Sequence, residues 1–125
     1  MLNFQEKSAI LFWTRGTDPT LAAPSSVERL SRLNMHQRVV RVTARQDGWL
    51  DVLFGAEHFQ VREECLRFME PAHFHVGDDV KFSGGQGTIR DVIWHFKDGE
   101  VNYYLEQDGK KLSKRYLTND LARVS

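Results

Sequence analysis

A chain of 125 residues, 41% hydrophobic and 11% aromatic, can bury a core and is excluded from the disordered class; it suits one compact domain or two very small ones. Its 17 basic and 17 acidic side chains give a formal net charge of zero, which weighs against a dedicated nucleic-acid binder while leaving room for a local basic patch. The single cysteine, Cys65, excludes an intrachain disulfide and suits a reducing compartment.

The N-terminus lacks a basic stretch followed by a long apolar one. The early apolar run from Ala9 to Trp13 is too short for a signal core or a membrane span, so the expectation is a soluble, cytoplasmic protein. Residues 8–14 are β-prone and read as a strand. Residues 15–24, broken by Gly16, Pro19 and Pro24, read as a loop. Ser25 and Glu28 have capping-box spacing, and Val27, Leu30 and Leu33 then fall on one helical face while Glu28, Arg29 and Arg32 face water. That predicts a short helix fading near residues 34–36.

From Arg38 the period changes to two. Val40 and Val42 alternate with polar neighbours, and Asp47-Gly48 supplies a hairpin turn whose central residues need positive φ. The return strand places Leu50, Val52 and Phe54 on one face, Gly55 breaks it, and His58–Arg62 forms a third strand. Glu63–Phe68 reads as one helical turn running into a last short strand, and Pro71 marks a linker. After Gly77-Asp78 the pattern begins again. Val80 and Phe82 open a strand, and Gly84, Gly85 and Gly87 permit a bend or bulge. Residues 88–96 form a longer strand with a bulge near its middle; Asp98-Gly99 turns it, and Val101, Tyr103 and Leu105 point inward on the return. Asp108-Gly109 turns again, residues 112–117 close, and Thr118-Asn119-Asp120-Leu121 is a helical turn.

The two halves share this grammar, with Asp47-Gly48 matching Asp98-Gly99 and Glu64-Cys65-Leu66 matching Asn119-Asp120-Leu121. The organisation expected is therefore an N-terminal strand, loop and helix (1–37), a first unit (38–70) and a second unit (74–125), all mainly β. Each unit is expected to close into a small barrel with few open edges.

The opening Gly77-Asp78-Asp79-Val80 with Gly87-Thr88-Ile89, and the ending Tyr116-Leu117-Thr118-Asn119-Asp120-Leu121, resemble Tudor-like, KOW-like and other SH3-like barrels. The likeness is strongest over residues 77–124 and weaker over 40–68. Ile93-Trp94-His95-Phe96 together with the run from Gly109 to Tyr116 looks like a signature of small bacterial proteins of this barrel type. The resemblance implies two SH3-like units in tandem and specifies no activity, because such barrels host unrelated tasks. The chain lacks the lengthened basic turn of KOW units, having only Ser83-Gly84-Gly85-Gln86-Gly87 after Phe82.

Three sets of side chains are candidates for function. Lys110, Lys111, Lys114 and Arg115 form a basic strand on which Lys111, Ser113 and Arg115 would share a face. It can hold phosphates or an acidic protein surface, or serve as a solvated strand that discourages edge pairing. Trp94 and Tyr104, on neighbouring strands with Asp91 or Asp98 near, could form an aromatic cage for a cation, against the plainer reading of packing. His73 and His75 share one face of an extended segment, but the ligand supply is too short for a metal site. Cys65, beside Leu66 and Phe68, reads as a buried structural thiol. No phosphate loop, nucleophile elbow or zinc-protease helix is present.

The reading expected is a non-enzymatic binding protein without a cofactor or metal. Its partner is another protein, in the manner of an adaptor or a toxin-immunity protein, with no membrane contact. The alternative is a nucleic-acid module using Arg90, Lys110, Lys111, Lys114 and Arg115 for phosphates and Trp94 or Tyr104 for stacking.

Overall fold

Alternating apolar residues and left-handed turns set the local structure, and the computed structural model describes it for residues 4–124. The chain divides into two units, Met1–Pro71 and Ala72–Ser125. Both are mainly β.

In the first unit β1 is Lys7–Leu11, β2 Val39–Gln46, β3 Trp49–Phe54, β4 Glu57–Val61 and β5 Leu66–Met69. They form one five-stranded antiparallel sheet in the order β4-β3-β2-β1-β5. The expected N-terminal piece 1–37 is thus not separate: β1 lies inside the sheet, with Ala9 opposite Val40 on one side and Phe68 on the other. It is also shorter than the 8–14 strand, because its partners β2 and β5 stop at Val39 and Leu66 opposite Ile10 and Leu11. Asp47 and Gly48 both take positive φ, 53° and 81°, as a primed turn requires. The Arg62 guanidinium lies 3.6 Å from the Trp49 ring centroid and donates to Asp47 O at 3.3 Å, so the turn is held down from above.

A 3-10 turn (Pro19–Leu21) and the helix α1 (Pro24–Arg32) occupy the connection from β1 to β2. The expected capping box at Ser25 and Glu28 does not form. Ala23 is the N-cap, with Pro24 at the first helical position, where a missing N–H costs nothing. Leu30 is buried, and Val27 and Leu33 pack half-buried on the core, so the expected apolar face holds. Ser26 is free of capping duty and buried instead, and its hydroxyl accepts the backbone N–H of Gln60 at 3.1 Å. Ala22 bridges Val61, Ala23 N–H donates to Gln60 O at 2.9 Å, and Arg62 N–H donates to Leu21 O at 2.7 Å. The outer edge of β4 is therefore covered by residues 21–26, which removes a template for unwanted strand pairing.

In the second unit β6 is Asp79–Phe82, β7 Gly85–His95, β8 Glu100–Gln107, β9 Lys110–Tyr116 and β10 Ala122–Arg123. Their order is β10-β6-β7-β8-β9. In both units, then, the first strand sits between the fifth and the second, followed by the third and fourth. A 3-10 turn precedes the fifth strand in each, Glu63–Cys65 and Thr118–Asp120. The halves repeat as expected, and the repeat extends to a first strand in each.

Neither sheet closes into the expected barrel. Among the described residues no ladder joins β4 to β5 or β9 to β10. The expected bulge of the long strand is real and falls at Arg90, where the register shifts between Ile89 and Asp91. Gly87 explains one glycine of the run: a Cβ there would meet Glu106 O at 2.8 Å, so a side chain would push β7 and β8 apart. Val80, Ile89, Val92, Tyr103, Leu105 and Tyr116 form the buried side of this sheet.

Candidate functional site

The outward face of β7, β8 and β9 carries most of the candidate residues. Tyr103 and Leu105 point into the core, so Tyr104 between them faces out. Its Cα partners are Asp91 on β7 and Arg115 on β9. The bulge turns Arg90 toward the same place, with its guanidinium 5.7 Å from the Tyr104 ring centroid. Two arginines thus flank one tyrosine across three strands.

His95 completes this group. Its ring stacks on Tyr104 at 6.4 Å with 25° between planes; Nε2 lies 3.1 Å from Tyr104 Oη, and Nδ1 lies 2.9 Å from Arg115 Nη1. A guanidinium has no acceptor, so Nδ1 must accept. A neutral ring then carries its hydrogen on Nε2 and donates to Tyr104 Oη, which leaves the phenolic hydrogen to point elsewhere. Asp98 approaches Arg115 from the turn at 3.8 Å, an exposed and weak contact. The Arg90 guanidinium has no ion pair or hydrogen bond among the described residues, and its Nε is buried without a partner.

Trp94 and Tyr104 do not form a cage, and the plainer reading of packing holds for Trp94. The two residues do sit on neighbouring strands, but Trp94 pairs with Val101 and shares the face of Val92, while Tyr104 pairs with Asp91 on the other face. Trp94 rests edge-on against Phe96 at 6.4 Å, its indole Nε1 buried and without a partner. The basic strand also departs from simple alternation. Lys111 pairs with Glu106 and Arg115 with Tyr104, so the register slips between them and Ser113 is not held in a row with both. Lys110, Lys111, Lys114 and Arg115 are all exposed, and Lys114 Nζ lies 5.2 Å from the Tyr116 ring centroid. Of the predicted site, Arg90, Tyr104 and Arg115 come together; Trp94 does not join them, and Lys110 and Lys111 lie toward the next turn.

The backbone at His73 and His75 is tied into local structure. His73 O accepts from Arg123 Nη2 at 2.8 Å, and His75 N–H donates to Asp78 Oδ2 at 2.8 Å. No group of three or more His, Cys, Asp or Glu side chains that could hold a metal ion occurs among the described residues. No helix among them is long and apolar enough to cross a membrane.

Cys65 is 2% exposed, with Sγ 3.8 Å from Leu21 O. Burial pushes its thiol up to about 11, and the neighbouring Glu64 carboxylate adds to the effect. The folded chain therefore holds this proton where the unfolded chain has begun to lose it. The stability it contributes is complete below pH 9.0 and is lost as pH rises through about 11. At pH 8 a disulfide reagent is expected to modify native Cys65 only as fast as the unit opens, and far faster in urea. Equal rates in buffer and urea would show an accessible thiol.

Sequence reasoning passed over a hollow in the first unit, lined by Trp13, Arg15, Glu28, Arg32, Asn34 and His36 among others. No motif marks it, since its residues are scattered over a loop and a helix end. The periodicity of α1 alone, which sends Glu28 and Arg32 outward, pointed toward that side.

A family model described as a family of unknown function (DUF6960) matches residues 1–122. No curated protein and no solved structure matches the chain.

Proposed function

We propose that this chain, which belongs to the DUF6960 family of unknown function, is a non-enzymatic binding protein whose second unit grips an acidic segment of a protein partner. The observation that carries the reading is the row Arg90, Tyr104 and Arg115 across β7, β8 and β9. Its cations stand on a sheet and are held by ring contacts, so little side-chain freedom is lost on binding. Arg90 has no carboxylate partner among the described residues, and a guanidinium is built to take one in two-pronged fashion.

The same face carries Glu106 and Glu100. With no net charge overall, that mixture suits a short acidic peptide better than a continuous run of phosphates. The common strand order of the two units, each with a 3-10 turn before the fifth strand, supports taking them as opened relatives of the SH3-type barrel, of Tudor-like or KOW-like kind.

The test titrates the intact chain with a glutamate-rich peptide and, separately, with a single-stranded oligonucleotide. NMR follows the His95 ring and Tyr104. The peptide is expected to shift both saturably, with affinity falling as salt rises, and Arg90→Gln with Arg115→Gln is expected to abolish the shifts. Preference for the oligonucleotide would replace the protein-partner reading with the nucleic-acid one. No saturable response to either would overturn both.

A further inference from the structure

The two units make the connection from first to second strand in different ways. The second unit uses residues 83–84, whereas the first runs from residue 12 to residue 38 and includes the 3-10 turn and α1. The sheet does not need that length, and long ordered connections usually serve a purpose of their own. One part of it covers the β4 edge. The remainder, residues 13–15 with 28–36, walls a hollow of about 650 Å3. That volume lies in the range of small-ligand sites.

The hollow is floored by Trp13 and Leu30, 6% and 0% exposed. Trp13 is fixed at both ends: its indole Nε1–H donates to Ser31 Oγ at 3.2 Å, and its backbone N–H donates to His36 Nδ1 at 3.1 Å. That second bond makes Nδ1 an acceptor, so a neutral His36 carries its hydrogen on Nε2. Phe12 braces the same imidazole edge-on at 5.8 Å. Asn34 and Gln37, on either side of His36, hold positive φ of 53° and 68°, a cost that surrounding contacts must offset and that is commonest where a site is being shaped.

Two donors on residues that line this hollow have no partner among the described residues, His36 Nε2 and the Arg15 guanidinium. Arg32 is occupied by Glu28 at 3.1 Å. The lining therefore carries one more cation than anions, with an apolar floor beside the unpaired donors.

We propose that the hollow between α1 and residues 13–15 binds a small organic carboxylate. Its carboxylate is taken by Arg15 and by His36 Nε2–H, and its apolar body lies on the Trp13 and Leu30 floor. The site belongs wholly to the first unit and stands independently of the acidic-segment reading of the second.

The experiment titrates the intact chain with benzoate and with benzamide, its neutral counterpart of the same shape, and reads the Trp13 indole N–H and the His36 ring by NMR. Benzoate is expected to shift both saturably. Benzamide, and benzoate with Arg15→Gln, are expected to bind at least about tenfold more weakly, the loss of one charge-assisted contact. Arg15 is exposed, so the variant is expected to melt like the parent, and its melt is the control for folding. Equal binding of benzamide, unchanged affinity in Arg15→Gln, or no saturable shift with benzoate would each overturn the proposal.

Discussion

Phenylalanine in place of Tyr103 is expected to keep or raise the stability of the second unit, and alanine there is expected to come close to unfolding it. Tyr103 is fully buried, packs edge-on to Phe74 at 5.5 Å, and sits in register between Val92 and Tyr116. Its hydroxyl is buried with no hydrogen-bond partner among the described residues. Deleting the ring removes apolar burial and leaves a cavity, which together cost about 3–5 kcal/mol. Whole domains have only about 5–15 kcal/mol in hand, and a sheet of this size sits toward the low end. Deleting only the oxygen relieves a group whose unmet desolvation costs about 1–3 kcal/mol. Urea melts of the two variants separate these terms, with the slope m unchanged in each. A loss of more than about 1 kcal/mol in Tyr103→Phe would mean that the hydroxyl is bonded in solution and that this account of the core is wrong.

The second large effect belongs to the first unit. Phe59 is fully buried, faces Val52 across β3 and β4, and carries the Arg29 guanidinium 4.8 Å above its ring. Phe59→Ala is expected to destabilise the unit by about 3–5 kcal/mol. Arg29 also donates to His58 O at 2.7 Å and pairs with Glu57 at 3.2 Å, yet it is partly exposed, and water competes for each of these contacts. Arg29→Ala is accordingly expected to cost only about 1 kcal/mol. The Trp13 indole N–H signal, followed through urea, reports on this unit alone. Equal losses in the two variants would show that the cation matters as much as the buried ring in holding α1 and β4 together.

Much of this architecture could be read from residue patterns. Valines and leucines at period two placed β2, β3 and β8, and Asp47-Gly48 announced its turn because few other residue pairs tolerate two positive φ values. What escaped was long-range. Nothing local in Lys7–Leu11 says that it will lie between β2 and β5, since that place is decided by partners as distant in sequence as Met69, which faces Ser8. The helix start was misplaced because Ser25 and Glu28 offered a cap while Pro24, a stronger constraint on the backbone, set the first turn. The site was half legible for a related reason. Arg90, Tyr104 and Arg115 were all in view, but only the bulge at Arg90 decides which face each residue after it takes, and that put Trp94 on the far side from Tyr104. The first-unit hollow has no pattern to read, because Trp13 and His36 meet through a backbone hydrogen bond that leaves no trace in spacing.

The place of β1 between β2 and β5 has a bearing on how the chain assembles. On a ribosome this segment emerges before either of its partner strands, and it cannot complete both of its ladders until Met69 is out as well. Hairpins β2–β3 and β3–β4 can zip locally in the meantime, so the nascent first unit waits with its earliest apolar strand, Ala9 to Leu11, partly unsheltered. Slow maturation and a window of stickiness during translation follow from that order of events, and the unit becomes fully protected only when its last strand docks against its first.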